Sequence, residues 1–399
     1  MVSALSGIRV LDFGRYISGP FSGMLLADMG ADVIKVEKAG GDTDRRLRPF
    51  TKDGKSMYVS TFSRNKRCVT VNYRSAEGRA LLKRLVETCD VIINNYRPGV
   101  MEKMGIGYEE VRELNPAVIY ASISGFGQTG PYRDRAAFDG IATAMAGVMA
   151  CNWGDKGPRG LGTPIADLTT GYVNALAIMI ALFHRERTGQ GQCIDTAMVD
   201  AVSPFLETLI PTYHLTGVSN ETSKRNGGDP TCAPANTFRA KDGYFYLHAG
   251  TDPHFQKLLG LITLPDVKAA LQSPVFQALQ SRKERAGEVE ALVGRWLETL
   301  TVSEAERVVS AAGIPCSAVN TVEQVVHSDF AASRNNVIWI DMPGLGKVPY
   351  PGNPLKLSAT PPTEFRPGQE AGQSNYEVYA ELLGLSRDEV DRLHKDGAI

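Results

Sequence analysis

In the first half of the chain, short aliphatic and β-branched runs alternate with segments whose apolar residues recur at helical spacing. The strand-like runs are "IRVLDF", "DVIKVE", "CVTVNY", "DVIINNY" and "AVIYASIS". Between them lie "GPFSGMLLADMG", "SAEGRALLKRLVETC" and "YEEVRELN". Runs that stay apolar at consecutive positions suit strands buried on both faces, and helix-period segments supply the crossovers that parallel strands need. The pattern predicts an open α/β sheet of parallel strands. Further on, "PIADLTTGYVNALAIMIALFHRERTGQGQ" reads as a long apolar helix, and "GQCIDTAMVDAVSPFLETLIPTYHLTG" as a strand leading into another helix.

The pattern breaks at "VSNETSKRNGGDPTCAPAN", a polar stretch rich in Gly, Pro, Ser and Asn that reads as a linker or surface loop. Beyond it, "TFRAKDGYFYLHAG" has the look of a hairpin around Lys241-Asp242-Gly243. "DPHFQKLLGLI", "GEVEALVGRWLETL" and "TVSEAERVVSAAG" return to helical period. A chain of 399 residues exceeds the usual size of one domain. We therefore expect a large domain over 1–220, a small α+β domain over 225–330, and a proline-rich tail with a terminal helix over 331–399.

Charge and cysteine usage narrow the function classes. The net charge is −1, from 43 basic and 44 acidic residues, so a nucleic-acid partner, which calls for a large basic field, is not expected. The cysteines at 68, 89, 151, 193, 232 and 316 form no C-x-x-C and no zinc-like spacing. They read as reduced thiols, and no metal is expected. "MVSALSG" runs directly into the first strand without the charged and apolar regions of a signal peptide. The longest apolar run, Tyr172 to Phe183, is 12 residues and contains Asn174, short for a membrane span. A cytoplasmic protein without a membrane partner is the expectation.

Three features are candidates for chemistry. Asp167 stands at the mouth of the long apolar helix, where a carboxylate is either a helix cap or a reactive group. Glycines 14, 19 and 23 follow the first strand and Glu37 ends the second, but their G-x4-G-x3-G spacing departs from the G-x-G-x-x-G of dinucleotide sites. Packing of helix on sheet is the better role for these glycines. Basic residues gather where strands are expected to end: Lys38, Arg45, Arg46, Arg48, Arg64, Lys66, Arg67, Arg74, Arg97 and Lys103. In an open α/β sheet, ligands sit at the carboxyl ends of the strands, so this cluster suggests a phosphate-bearing ligand. No histidine falls in H-E-x-x-H, and none lies beside a G-x-S-x-G or a catalytic-looking Cys. With metal hydrolysis and a Ser/His/Asp triad unsupported, a carboxylate is the best nucleophile candidate.

The blocks "GIRVLDFGRYISGP", "LLADMGADVIKVEKAGGDTDR", "SRNKRCVTVN", "NYRPGVMEKMGIGYEEVRELNPAVIYASISGFGQTGPYRDRAAFDGIA", "ALFHRERTGQGQCIDTAMVDA", "AGIPCSAVNTVEQV" and "PGLGKVPYPGNPLKLS" resemble, in order, those of class III CoA-transferases. That family includes formyl-CoA:oxalate and carnitine CoA-transferases and shares its fold with α-methylacyl-CoA racemase. The resemblance covers essentially the whole chain. It implies a Rossmann-like large domain completed by the C-terminal tail, a smaller domain, and an interlocked homodimer. It implies transfer of CoA from an acyl-CoA to a carboxylic acid, with coenzyme A as co-substrate and no tightly bound cofactor. The family's catalytic Asp falls on Asp167, which would form an aspartyl anhydride and then an aspartyl-CoA thioester. Its CoA contacts fall on Ile17, Ser18, Lys38, Val71 to Arg74, Asn95, Tyr96, Arg97, Lys103, and Arg135 to Phe138. Two departures argue against oxalate as acceptor: a glutamine of the oxalate enzyme is Ile17 here, and its glycine-rich small-domain loop is replaced by "HAGTD". His248 and Gly250 of that loop are candidate substrate contacts.

Two rivals remain. A racemase on the same fold would need an acid/base pair at the α-carbon, and the His that precedes an Asp in the racemase block is Phe138, before Asp139. A CoA-binding regulatory protein without turnover is the other.

Overall fold

The computed structural model describes residues 3–52, 54–154, 157–219, 228–362 and 364–399. It forms two compact units. The first joins Met1–Val148, Leu161–Leu206 and Asp329–Ile399; the second joins Met149–Gly160 and Glu207–Ser328. The chain thus leaves the first unit at Leu206, ahead of the polar stretch where composition shifts, and residues 220–227 of that stretch lie outside the described residues.

Six strands build the sheet of the first unit: β1 (Arg9–Asp12), β2 (Asp32–Glu37), β3 (Arg67–Thr70), β4 (Val91–Asn94), β5 (Ile119–Ser124) and β6 (Gln192–Ala197). Every pairing is parallel, in the order β3-β2-β1-β4-β5-β6. The apolar runs follow from this arrangement, because side chains alternate between two covered faces. Val10 packs with Leu26, Val33, Val91, Ile93, Ile178 and Leu182, beneath the helix Ser18–Asp28 and the long helix Ile165–Thr188. Leu11 packs the other way, with Ile34, Leu82, Leu85, Ile92, Val378 and Tyr379, beneath the helices Ala76–Val86 and Asn375–Leu383. The chain order reverses between β1 and β4, which opens a crevice beyond their carboxyl ends.

The long helix spans 24 residues and stops at Gly189, whose φ of +72° lets its N–H close on the Arg185 carbonyl. The 12-residue apolar run had looked short for a membrane span, yet by length and composition the whole helix is long and apolar enough to cross one. Its inner face, from Ala166 through Thr170, Asn174, Ile178 and Leu182, is buried in the first unit. Its outer face leaves Leu176, Ile180 and Phe183 more than half exposed.

The second unit carries an antiparallel sheet in which Tyr244–His248 lies between Ala235–Arg239 and Cys316–Ala318. Its core gathers Phe238, Phe245, Leu247, Phe255, Leu258, Val293 and Trp296 from the sheet and the helices that follow it.

Candidate functional site

The crevice at the carboxyl ends of β1 and β4 holds a cavity of about 790 Å³, a size that suits a small ligand. Arg15, Tyr16 and Ser18 line it from the turn after β1, Tyr73, Arg74 and Arg79 from beyond β3, and Asn95, Tyr96, Arg97 and Lys103 from beyond β4. Residues Ser124, Gly125, Arg133, Arg135, Phe138 and Asp167 complete the wall.

Asp167 is the third residue of the long helix, and it does not cap that helix. The preceding residue at the helix start, Pro164, offers no side-chain cap. The acceptor is Asp139, whose Oδ1 takes the N–H groups of Ala166 at 2.6 Å and Asp167 at 3.3 Å. Asp167 instead lies close enough to Ser18 for that residue's hydroxyl and backbone N–H to favour its ionised form, and Ser18 begins a helix that also lacks a side-chain cap of its own. Asp139, from another element, thus serves orphan donors at the start of the long helix. Asn95 steadies Ser18, donating to its Oγ at 3.2 Å and to the Arg15 carbonyl at 2.7 Å.

Burial and the neighbouring Asp139 charge push the Asp167 carboxyl up to about 6, against the nearby Ser18 donors that favour its ionised form. It is ionised near neutral pH yet far more basic than an ordinary aspartate, which suits a carboxylate nucleophile.

The turn after β1 is held tightly. Tyr16 has φ +62°, left-handed backbone that is uncommon for a side-chain-bearing residue. It is fixed by donation from its N–H to Asp44 at 3.2 Å and by an edge contact with Phe138 at 6.0 Å. The Arg15 guanidinium lies over the Tyr16 and Tyr96 rings, and Arg135 over Phe126 and Tyr132. A Cβ at Gly14 would come within 2.7 Å of Asp12 and Pro20, and one at Gly19 within 2.9 Å of the Gly14 Cα. These glycines serve close packing of turn and helix. Glu37, where a dinucleotide site would place its ribose ligand, is taken bidentately by Arg45 at 2.7 Å.

Of the anticipated positions, Ser18, Arg74, Asn95, Tyr96, Arg97, Lys103, Arg135, Phe138 and Asp167 meet in this cavity. Ile17 and Val71 do not line it: their side chains are buried, 6% and 1% exposed. Lys38, half-buried beyond β2, is not part of the wall either. His248 and Gly250 belong to the second unit.

The basic cluster divides. Arg64 is bound to Asp28 at 2.7 Å, Lys66 to Asp12 at 2.6 Å, and Arg67 to Asp32 at 2.6 Å. Arg64 and Arg67 stand at the amino end of β3, whereas the Lys66 ammonium is buried against Asp12, the last residue of β1, and the Pro20 carbonyl. Together with Arg45 they are fold-building ion pairs and not ligand cations. Tyr73, within the anticipated stretch Val71 to Arg74, lines the cavity too; Arg15, Tyr16, Arg79 and Arg133 were missed. Arg15 and Tyr16 follow β1 directly, so the strand-end rule that selected Arg97 applies to them as well.

Against known proteins, the model of CoA-transferase family III matches residues 5–373. The chain belongs to CoA-transferase family III. Over 98% of its length it is 36% identical to a succinyl-CoA–D-citramalate CoA-transferase of Chloroflexus aurantiacus, 96% of which is covered. It is 33% identical to a succinyl-CoA:glutarate CoA-transferase of Mus musculus, over 99% of this chain and 90% of that one. Its structure is similar to that of a CAIB/BAIF family protein from Brucella suis, with a TM-score of 0.85 and 33% identity over 96% of this chain and all of that one. This family III enzyme is therefore a CoA-transferase, and a CoA thioester is its co-substrate.

Proposed function

We propose that this enzyme moves CoA from a dicarboxylic acyl-CoA of the succinyl type to a second carboxylic acid, with Asp167 as the covalent carrier. Asp167 attacks the thioester carbonyl, giving a mixed anhydride and CoA thiolate. The thiolate then attacks the aspartyl carbonyl, releasing the donor acid and leaving an aspartyl-CoA thioester. The acceptor carboxylate attacks that thioester in turn, and the freed thiolate takes the acceptor's acyl group and restores Asp167. Every step exchanges one activated acyl for another, so the site has to position groups and exclude water from the anhydride.

The observation that carries this reading is the placement of Asp167 on the cavity wall, beside Ser18, while Asp139 takes the N–H groups at the start of its helix. Arg74, Arg97, Lys103 and Arg135 suit the phosphates of CoA. The names of the relatives support succinyl-CoA as donor. The exposed apolar face of the long helix, with Leu176, Ile180 and Phe183, suits burial in a homodimer, and a cytoplasmic enzyme fits a CoA-dependent reaction. Phe138 supplies no titratable group beside Asp139, which disfavours racemase chemistry.

The test is to incubate the enzyme with succinyl-CoA and a pool of carboxylic acids and to identify new thioesters by mass spectrometry. We expect CoA to appear on at least one dicarboxylic acid, and not with Asp167→Ala. Turnover by that variant, or deuterium entering the α-carbon of a 2-methylacyl-CoA without transfer, would overturn the reading.

A further inference from the structure

We propose that Asp229, Cys232 and His248 form a binding site for a zinc-class transition-metal ion that clips the segment entering the second unit's sheet to the end of the strand Tyr244–His248. The inference does not rest on the transfer reading.

The geometry is that of three ligands converging on one point. His248 Nε2 lies 3.4 Å from Cys232 Sγ and 3.7 Å from Asp229 Oδ2, and all three ligand atoms fall within 4.8 Å of one another. A tetrahedral zinc ion with bonds of about 2.0–2.3 Å sets ligand–ligand edges of roughly 3.4–3.6 Å. Both neighbours approach the same ring nitrogen. A proton relay would instead use the two nitrogens on opposite sides of the ring.

The surrounding fold holds each ligand in place. The Oδ1 of Asp229 accepts the Thr231 N–H at 2.7 Å, which turns Oδ2 toward His248, an outer-sphere arrangement that orients a ligating carboxylate. The Asp229 N–H donates to the Ala235 carbonyl, folding the Asp229–Cys232 segment back on itself, and the Ala249 N–H donates to the Pro234 carbonyl, joining that segment to the one that carries His248. The fully buried Arg282 donates to the carbonyls of Ala233 at 3.1 Å and Gly250 at 2.8 Å, one from each segment. A Cβ at Gly250 would lie 2.4 Å from Cys232 Sγ, so the thiol can stand where it does only because residue 250 is glycine. This gives Gly250 a role unlike the substrate contact expected of it. The thiol is buried, while the His248 and Asp229 side chains are 34% and 28% exposed, which leaves an ion a way in and a fourth position for water.

Binding would be a proton exchange without redox change. Cys232 ligates as thiolate and loses its proton to solvent, His248 ligates through Nε2 with its proton on Nδ1, and Asp229 ligates as carboxylate. With a divalent ion the site is neutral.

The full-length protein, stripped with a chelator, is titrated with Co²⁺ and then with Zn²⁺. We expect a thiolate-to-cobalt charge-transfer band saturating at one ion per chain, its displacement by zinc, and release of about one proton per ion near neutral pH. The band should vanish in Cys232→Ser and His248→Ala, and binding should weaken by roughly tenfold or more in Asp229→Asn. It should persist when the exposed Cys151 and Cys193 are both changed to Ser, which controls for surface thiols. No band in the wild type, or a band that survives Cys232→Ser, would leave Cys232 and His248 a plain hydrogen-bonded pair and end the proposal.

Discussion

Arg64 leads into β3 and Arg97 follows β4, both from the same parallel sheet, yet their surroundings are opposite. Arg64 is 1% exposed, bound bidentately to Asp28 and further to the Pro351 carbonyl. Arg97 stands exposed on the cavity wall, and no carboxylate partners it among the described residues. In sequence the two look alike, as basic residues beside a β-branched run. What separates them is which end of the strand they occupy, and whether an acidic residue far along the chain reaches them. A buried guanidinium without such a partner would be untenable, whereas one beside a ligand cavity is stable in water and gains its partner from the ligand.

The largest effect that can break this comparison lies on the buried side. Arg64→Met should destabilise the fold by about 3–5 kcal/mol, because Asp28 is left buried without its cation. Denaturant unfolding would measure the loss, and CoA affinity of the folded protein should stay within about twofold, since the sites are distant. A mild effect on stability would mean that Asp28 is not held as a charge.

On the cavity side the pattern should invert. Arg97→Ala and Lys103→Ala should leave thermal unfolding unchanged, and each should raise the CoA dissociation constant roughly tenfold, with a shallower salt dependence. Calorimetry checks both. Unchanged binding would move the phosphate site to other residues of the wall.

A smaller effect sharpens the contrast between the two carboxylates. Asp167 is raised to about 6, so a nucleophilic role is lost as pH falls through that value. Asp139→Asn keeps an acceptor for the Ala166 and Asp167 N–H groups while removing the neighbouring charge. The acid limb of the rate should then move toward lower pH, by less than about one unit, because burial is the larger cause. The linked stability has a definite sign. A carboxyl with a raised folded value weakens the fold as pH climbs from the ordinary range through about 6, so Asp167→Asn should melt above wild type at about pH 8 and equal to it at about pH 3.

Much of the fold was legible because parallel strands write themselves as unbroken apolar runs, as "VLDF" and "DVIKVE" do. The long helix was legible from its apolar pattern, while the role of Asn174, which donates to Ser22 inside the first unit, was not. The cavity wall was legible where a motif or a strand end marked it, at Arg97 and Asp167. Cations were misassigned where the deciding contact is distant in sequence: Lys66 is consumed by Asp12, 54 positions away. Arg15 and Tyr16 carried a signal that was not applied to them. The capping reading of Asp167 could not be weighed from its own helix, because the acceptor of that helix's first N–H groups, Asp139, lies 28 positions upstream.

The central claim is that Asp167 carries the transferred group. The most direct measurement is to mix the wild-type enzyme with acyl-CoA in the presence of hydroxylamine, digest it, and locate the hydroxamate by mass spectrometry. The account predicts modification at Asp167, dependent on acyl-CoA and fading as pH drops below about 6. A hydroxamate on any other carboxylate, or none during active turnover, would contradict it.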